Sequence, residues 1–224
     1  MTTIALVGPD GAGKSTVSRL LTEMTLGRPV KRLYMGVNLE AGGLMLPTTR
    51  LAIALKRSRG GRGDLTMVPA QRGRPGAARR GGPNQLRELA RLVLWTAEEW
   101  FRQGVAAWWE LRGAVVVFDR HFVADYVKST GAGPDGWSQR AHEFLLRRAY
   151  PRPDLLVCLD APGALLYERK GEGSPEWLEE RRRHYLTLGP YARRFAVVDA
   201  TQPASVVADE VAALITGLSS ERRP

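Results

Sequence analysis

Four short apolar runs, Ile4-Ala5-Leu6-Val7, Ala114-Val115-Val116-Val117-Phe118, Leu155-Leu156-Val157-Cys158-Leu159 and Phe195-Ala196-Val197-Val198, punctuate a chain that elsewhere repeats apolar residues at helical spacing. Unalternating runs rich in β-branched residues predict strands covered on both faces. The first is followed by Thr16 to Leu26, with Val17, Leu20 and Leu21 on one helical face, and Pro29 to Tyr34 reads as a second strand. Leu44 to Leu55 reads as helix. From Asn84 a long helical pattern runs through Leu89, Val93, Leu94, Trp100, Phe101, Val105 and Trp108 and stops at Gly113. Helices are expected over Ser138 to Tyr150, Ala161 to Lys170, Pro175 to Leu188 and Pro203 to Leu218, with strands at Ala114 to Phe118, Asp154 to Leu159 and Phe195 to Val198. Five strands alternating with helices predict an α/β fold: a parallel five-stranded sheet, right-handed crossovers and helices on both faces.

At 224 residues, 44% hydrophobic and 25% charged, the chain is sized to bury one core, so a single domain over residues 1–224 is expected. It begins directly in a strand, and no apolar run approaches the ~20 residues that span a bilayer. The expectation is a cytoplasmic protein without a membrane partner. Its single cysteine, Cys158, lies inside an apolar run and reads as a buried small hydrophobe.

A net charge of +10 invites a nucleic-acid reading, but its location weakens that reading. Residues 56–82 hold eight basic residues against Asp64 alone, a net +7 of the total, amid many glycines. That is the composition of a flexible basic insert which cannot offset its ordering entropy by burial. Without interleaved aromatics it lacks stacking platforms for single strands, so a solvated loop near anionic substrates is favoured over RNA or DNA binding. The tryptophans Trp95, Trp100, Trp108 and Trp109 are expected as core and groove lining.

The chemistry begins at Gly8-Pro9-Asp10-Gly11-Ala12-Gly13-Lys14-Ser15, a complete G-x-x-x-x-G-K-[ST] phosphate-binding loop between a predicted strand and a predicted helix. In that context backbone N–H groups converge on phosphate oxygens at a helix N-terminus, Lys14 reaches the β- and γ-phosphates, and Ser15 ligates Mg²⁺. Two further apolar runs end in aspartate. Asp160 precedes Ala161-Pro162 and a helix, so an N-cap accounts for it. Asp119 precedes Arg120-His121 at a strand's carboxyl end, where open α/β sheets bind ligands, and offers a carboxylate for a magnesium shell beside a guanidinium fork for phosphate. Cations for the γ-phosphate are available from Arg169 or Lys170, in the glycine-flanked turn Tyr167 to Gly173, or from one or two of Arg181, Arg182 and Arg183. His121, His142 and His184 show no metal-ligand spacing.

The chain resembles the thymidylate kinase family of nucleoside-monophosphate kinases, in order, over most of its length outside residues 36–83. The matching pieces are Gly8 through Thr16, Val117-Phe118-Asp119-Arg120-His121, Pro153 through Asp160 with Arg169 downstream, Tyr185, and Val198-Asp199-Ala200. The resemblance implies a P-loop NTPase three-layer sandwich and an ATP- and Mg²⁺-dependent kinase that phosphorylates a small acceptor, dTMP by default. It assigns ATP to Gly8, Asp10, Gly11, Ala12, Gly13, Lys14, Ser15 and Thr16, the metal to Ser15 and Asp119, the acceptor phosphate to Arg120 and the lid to Arg169. Asp10 corresponds to a loop carboxylate that some members place near the acceptor sugar. Dimerisation is common in that family, although no helical pattern here identifies an interface. The departures fall on the acceptor side: Val7 where glutamate is usual, Tyr34-Met35-Gly36-Val37 in place of Arg-Glu-Pro-Gly, and Phe122-Val123-Ala124-Asp125-Tyr126 after the Asp-Arg pair. Another nucleotide, a nucleoside or a sugar-like metabolite therefore stays open as acceptor. A conformational NTPase switch is a further class, but the chain carries no Asn-Lys-x-Asp guanine motif.

Overall fold

The computed structural model describes residues 2–35, 44–58, 85–121, 123 and 137–221. The basic insert expected at 56–82 lies almost wholly outside them, as do Gly36, Val37 and most of the Phe122 to Tyr126 stretch.

The apolar runs form the strands they predict. β1 (Thr2–Val7), β2 (Val30–Tyr34), β3 (Val115–Asp119), β4 (Leu155–Asp160) and β5 (Phe195–Asp199) make one parallel sheet in the order β2-β3-β1-β4-β5. Its α-helices among the described residues are α1 (Lys14–Glu23), α2 (Pro47–Ser58), α3 (Gln85–Leu111), α4 (Trp137–Arg148), α5 (Gly163–Lys170), α6 (Pro175–Leu186) and α7 (Ala204–Glu221). None of them is long and apolar enough to cross a membrane.

Side-chain alternation along the central strands divides the core in two. Ile4, Leu6, Val115, Val117, Val157 and Leu159 pack under α1 and α7 with Val17, Leu21, Val207 and Val211. Ala5, Val7, Val116, Phe118, Leu156 and Cys158 face the other way, against Ala106 of α3, Tyr150 and Tyr185. Three layers result, helices over sheet over helices, and both faces of β1, β3 and β4 are dry. That burial raises the Cys158 thiol to about 12, as expected of an inert core residue. The tryptophans of α3 divide: Trp109 packs against the core as expected, whereas Trp100 and Trp108 are 44% and 49% exposed, Trp100 against the Tyr150 ring and Trp108 beneath the Arg112 guanidinium, and the Trp95 side chain lies outside what is described.

β1 is the middle strand, and the chain leaves it towards β2 on one side while β4 leads to β5 on the other. This switch in direction opens a crevice at the carboxyl ends of β1 and β4, the place where open α/β sheets hold ligands. The glycine-rich loop runs from the end of β1 into that crevice.

Candidate active site

Backbone packing explains why the loop needs glycine. A Cβ on Gly8 would stand 2.6 Å from the Leu159 carbonyl oxygen of β4, and one on Gly11 would stand 2.7 Å from the Leu166 carbonyl oxygen of α5. Both positions also have positive φ, so any side chain would push the loop off its supports. Gly13, left-handed at φ 84°, starts α1. The first bond of that helix runs from the Val17 N–H to the Gly13 carbonyl at 2.9 Å, so the N–H groups of Lys14, Ser15 and Thr16 have no acceptor within the helix. Together with the helix dipole they form an anion-attracting mouth. Ala12 is buried under the loop and Thr16 is exposed.

Lys14 curls across this mouth. Its Nζ donates to the Gly8 carbonyl at 2.8 Å and the Pro9 carbonyl at 2.7 Å. Burial is the main influence on it and lowers its pKa to about 8, with Arg120 and Lys170 pushing the same way and Asp10 and Asp119 opposing. Asp10 shows the reverse balance. Burial works against its charge, but Lys14, Lys170, Arg120 and Arg181 outweigh burial and hold the carboxyl below its usual range. The Lys170 Nζ is 3.6 Å from Asp10 Oδ1.

Asp119 sits at the tip of β3, in register with Leu6 of β1 on one side and Tyr34 of β2 on the other. The Ser15 hydroxyl donates to its Oδ1 at 3.3 Å, and Arg32 of β2 stands 4.0 Å from its Oδ2. A hydroxyl and a carboxylate therefore converge beside the loop. That pair fits Mg²⁺, which commonly takes one or two protein oxygens and completes its shell with phosphates and water. Among the described residues no group of three or more acidic, histidine or cysteine side chains could hold a metal by itself.

Arg120 follows with φ 64°, the one non-glycine residue among those described with positive φ, and its carbonyl accepts from the Met35 N–H at 3.2 Å. A left-handed arginine at a sheet's ligand edge is a strained conformation of the kind that concentrates at functional sites. His121 is a packing residue. Its ring lies edge-on to Phe118, its Nδ1 accepts from the Val123 N–H at 3.3 Å, and burial lowers its pKa to about 3, so it stays neutral.

The remaining sequence candidates separate. Arg169 donates to the Ala200 carbonyl at 2.7 Å and the Thr201 carbonyl at 3.3 Å, which ties α5 to the turn after β5. It is not one of the cations acting on Asp10; from α5 that cation is Lys170. Asp160 is not the N-cap of α5 that the sequence suggested, because the cap position is Pro162. Its carboxylate instead accepts twice from Arg182, at 2.6 and 2.8 Å, a bidentate pair between β4 and α6. Of the three consecutive arginines, Arg182 is thus structural, Arg183 is exposed, and Arg181 lies against Trp177 and Tyr185 on its own helix while its charge helps keep the Asp10 carboxyl low. Arg32 was missed by sequence reasoning, since nothing in Val30-Lys31-Arg32-Leu33-Tyr34 tells which of its cations will lie beside Asp119 once β2 pairs with β3.

No protein-family model matches this chain, and no curated protein matches it.

Proposed function

We propose that the protein is a P-loop kinase of the thymidylate kinase type: a cytoplasmic ATP- and Mg²⁺-dependent phosphotransferase whose acceptor is a nucleoside monophosphate, dTMP by default. The observation that carries this reading is the convergence of Lys14, Ser15 and Asp119 at the N-terminus of α1. A cation, a hydroxyl and a carboxylate there are what binding a nucleoside triphosphate with its metal requires.

In this reading the free N–H groups of α1 and the Lys14 ammonium hold the phosphates, and Ser15 and Asp119 would hold Mg²⁺, which neutralises phosphate charge when bound. Arg120 directs an acceptor phosphate towards the loop. An oxygen of that phosphate forms a bond to the γ-phosphorus as the bond from the γ-phosphorus to the bridging oxygen breaks, and ADP leaves with the electron pair. A monophosphate oxygen is already deprotonated near neutral pH, so no proton has to move. Positioning and charge neutralisation then account for most of the rate, and this loop supplies both.

A second reading is supported by the acceptor-side departures at Val7, at Tyr34 to Val37 and after Arg120: the same phosphoryl donor chemistry acting on another nucleotide, a nucleoside or a sugar-like metabolite. One experiment tests both. ATP consumption with Mg²⁺ is measured for wild type beside Lys14→Ala, across dTMP, the other nucleoside monophosphates, nucleosides and a set of sugars. Lys14-dependent turnover on dTMP supports the first reading; Lys14-dependent turnover only on another acceptor supports the second. Turnover on no acceptor removes both.

A further inference from the structure

Arg32 sits on the edge strand β2, in register with Val117 of β3 and two residues before the strand end. Side chains alternate along a strand, so Val30, Arg32 and Tyr34 share one face. Val30 and Val117 both pack with the core under α1, which puts Arg32 on the α1 side of the sheet's rim. From there its NH1 group reaches to 4.0 Å from Asp119 Oδ2, while the Ser15 hydroxyl at the start of α1 donates to Oδ1 at 3.3 Å. A guanidinium and a hydroxyl thus approach the two oxygens of one carboxylate.

The partners are unequal. The Asp119 side chain is 7% exposed and that of Arg32 45%. This contact is the one ion pair Arg32 makes among the described residues, and at 4.0 Å it is electrostatic attraction without a hydrogen bond. A pair of that kind contributes at most about 1 kcal/mol to stability, so it is poorly suited to fastening β2. Asp160, the aspartate at the tip of β4, shows the contrast: Arg182 holds both of its oxygens at 2.6 and 2.8 Å. Asp160 is locked, whereas the counter-ion of Asp119 is free to exchange.

Charge decides what that exchange does. A divalent ion bridging Ser15 and Asp119 would stand well inside the ~8 Å screening length from the guanidinium, where like charges repel. Arg32 therefore competes with a free divalent ion for the carboxylate. A metal that arrives already carrying phosphates brings negative charge that offsets the arginine.

We propose that Arg32 is an exchangeable counter-ion of Asp119, a specificity-determining residue that opposes free divalent cations at the Ser15–Asp119 pair and admits the metal as its nucleotide complex. This rests on the reading of the loop as the site of a nucleoside triphosphate with its metal, and adds the form in which that metal enters.

The test is binding of Mn²⁺ alone, followed by electron paramagnetic resonance, to wild type, Arg32→Gln, Arg32→Lys and the double variant Arg32→Gln with Asp119→Asn. Arg32→Gln is expected to tighten Mn²⁺ about fivefold, since one neighbouring positive charge is removed. Arg32→Lys keeps the charge and should stay within about twofold of wild type, and the double variant should lose the gain with the carboxylate charge. Mn²⁺ affinity unchanged or weakened in Arg32→Gln overturns the proposal, as does a gain that Arg32→Lys shares or that survives Asp119→Asn. Calorimetry with β,γ-imido-ATP and Mg²⁺ completes the test: Arg32→Gln should show no gain there, and a gain as large as that for Mn²⁺ overturns the selectivity for the nucleotide complex. All of these results leave the ATP site in place. Wild type that fails to bind β,γ-imido-ATP with Mg²⁺ removes the ATP-site reading itself and this inference with it.

Discussion

Around the glycine loop Lys14, Arg120, Lys170 and Arg181 all act on Asp10, and Asp119 beyond it meets Arg32 only at 4.0 Å. On the α3 side the charges are matched instead. Arg102 and Glu98, 2% and 3% exposed, pair at 3.4 Å; Arg102 also donates to the Tyr34 carbonyl at the end of β2, and Glu98 accepts from the Leu46 N–H and the Thr49 hydroxyl at the start of α2. A second carboxylate, Glu99, accepts from the Tyr150 hydroxyl at 2.7 Å, and burial followed by that charge raises the phenol's pKa. The first region holds cations in excess and suits a polyanion. The second uses its charges to fasten a strand end and a helix start to α3. Removing charge should therefore cost activity at the loop and stability at α3.

The largest expected effect is at Lys14. In the proposed kinase, Lys14→Ala lowers turnover by ~10³-fold or more, because it removes a charge aimed at the transferring phosphates. Its melting temperature should stay level or rise, since burial disfavours the lysine's charge in the folded protein. Turnover within about tenfold of wild type would sink the mechanism.

Arg102→Ala should act in the opposite sense. It strands the Glu98 carboxylate in the interior, at a cost of about 3–5 kcal/mol, measurable by urea unfolding. Replacing both partners with apolar residues of similar volume should recover most of the loss. A single variant as stable as wild type would show that the pair fastens nothing.

Asp119→Asn comes next. It keeps the shape at the tip of β3 and removes the charge beside Ser15, and it is expected to lower turnover about 10²-fold with little change in urea midpoint. A rate near wild type would remove Asp119 from the proposed metal shell.

How much of this was legible in the sequence follows the range of the interactions. The strands were, because unalternating runs such as Val115 to Phe118 carry their own burial signal. So was the glycine loop, a local motif whose strand and helix neighbours frame it. Long-range pairings were not. Asp160 reads as an N-cap from its neighbours, and only the fold brings in Arg182 from 22 residues away. Three consecutive arginines spread around a helix, so telling Arg182, which pairs with Asp160, from Arg181, which lies against Trp177 and Tyr185, needed those partners to be placed first. The left-handed backbone at Arg120 has no compositional signal at all.

The smallest and most discriminating effect is in pH dependence. In the proposed kinase Lys14 must be charged to attract phosphate, and its pKa in the free protein is lowered to about 8. The proposed kinase should therefore lose kcat/KM for ATP as pH rises through about 8, falling up to about tenfold per unit above it. Asp10 opposes the drop in that pKa, so Asp10→Asn should move the breakpoint to lower pH, whereas Glu99→Gln, whose partner is Tyr150 on the α3 side, should leave it in place. Stability runs the other way. Lys14 binds its proton more weakly folded than unfolded, so between about 8 and its ordinary 10.5 the unfolded chain holds more protons, and the Lys14 contribution to stability rises with pH across that window. Lys14→Ala should abolish that rise. A kcat/KM profile flat from pH 7 to 10 would mean that the Lys14 proton is held far more tightly than its half-buried position near Arg120 and Lys170 implies.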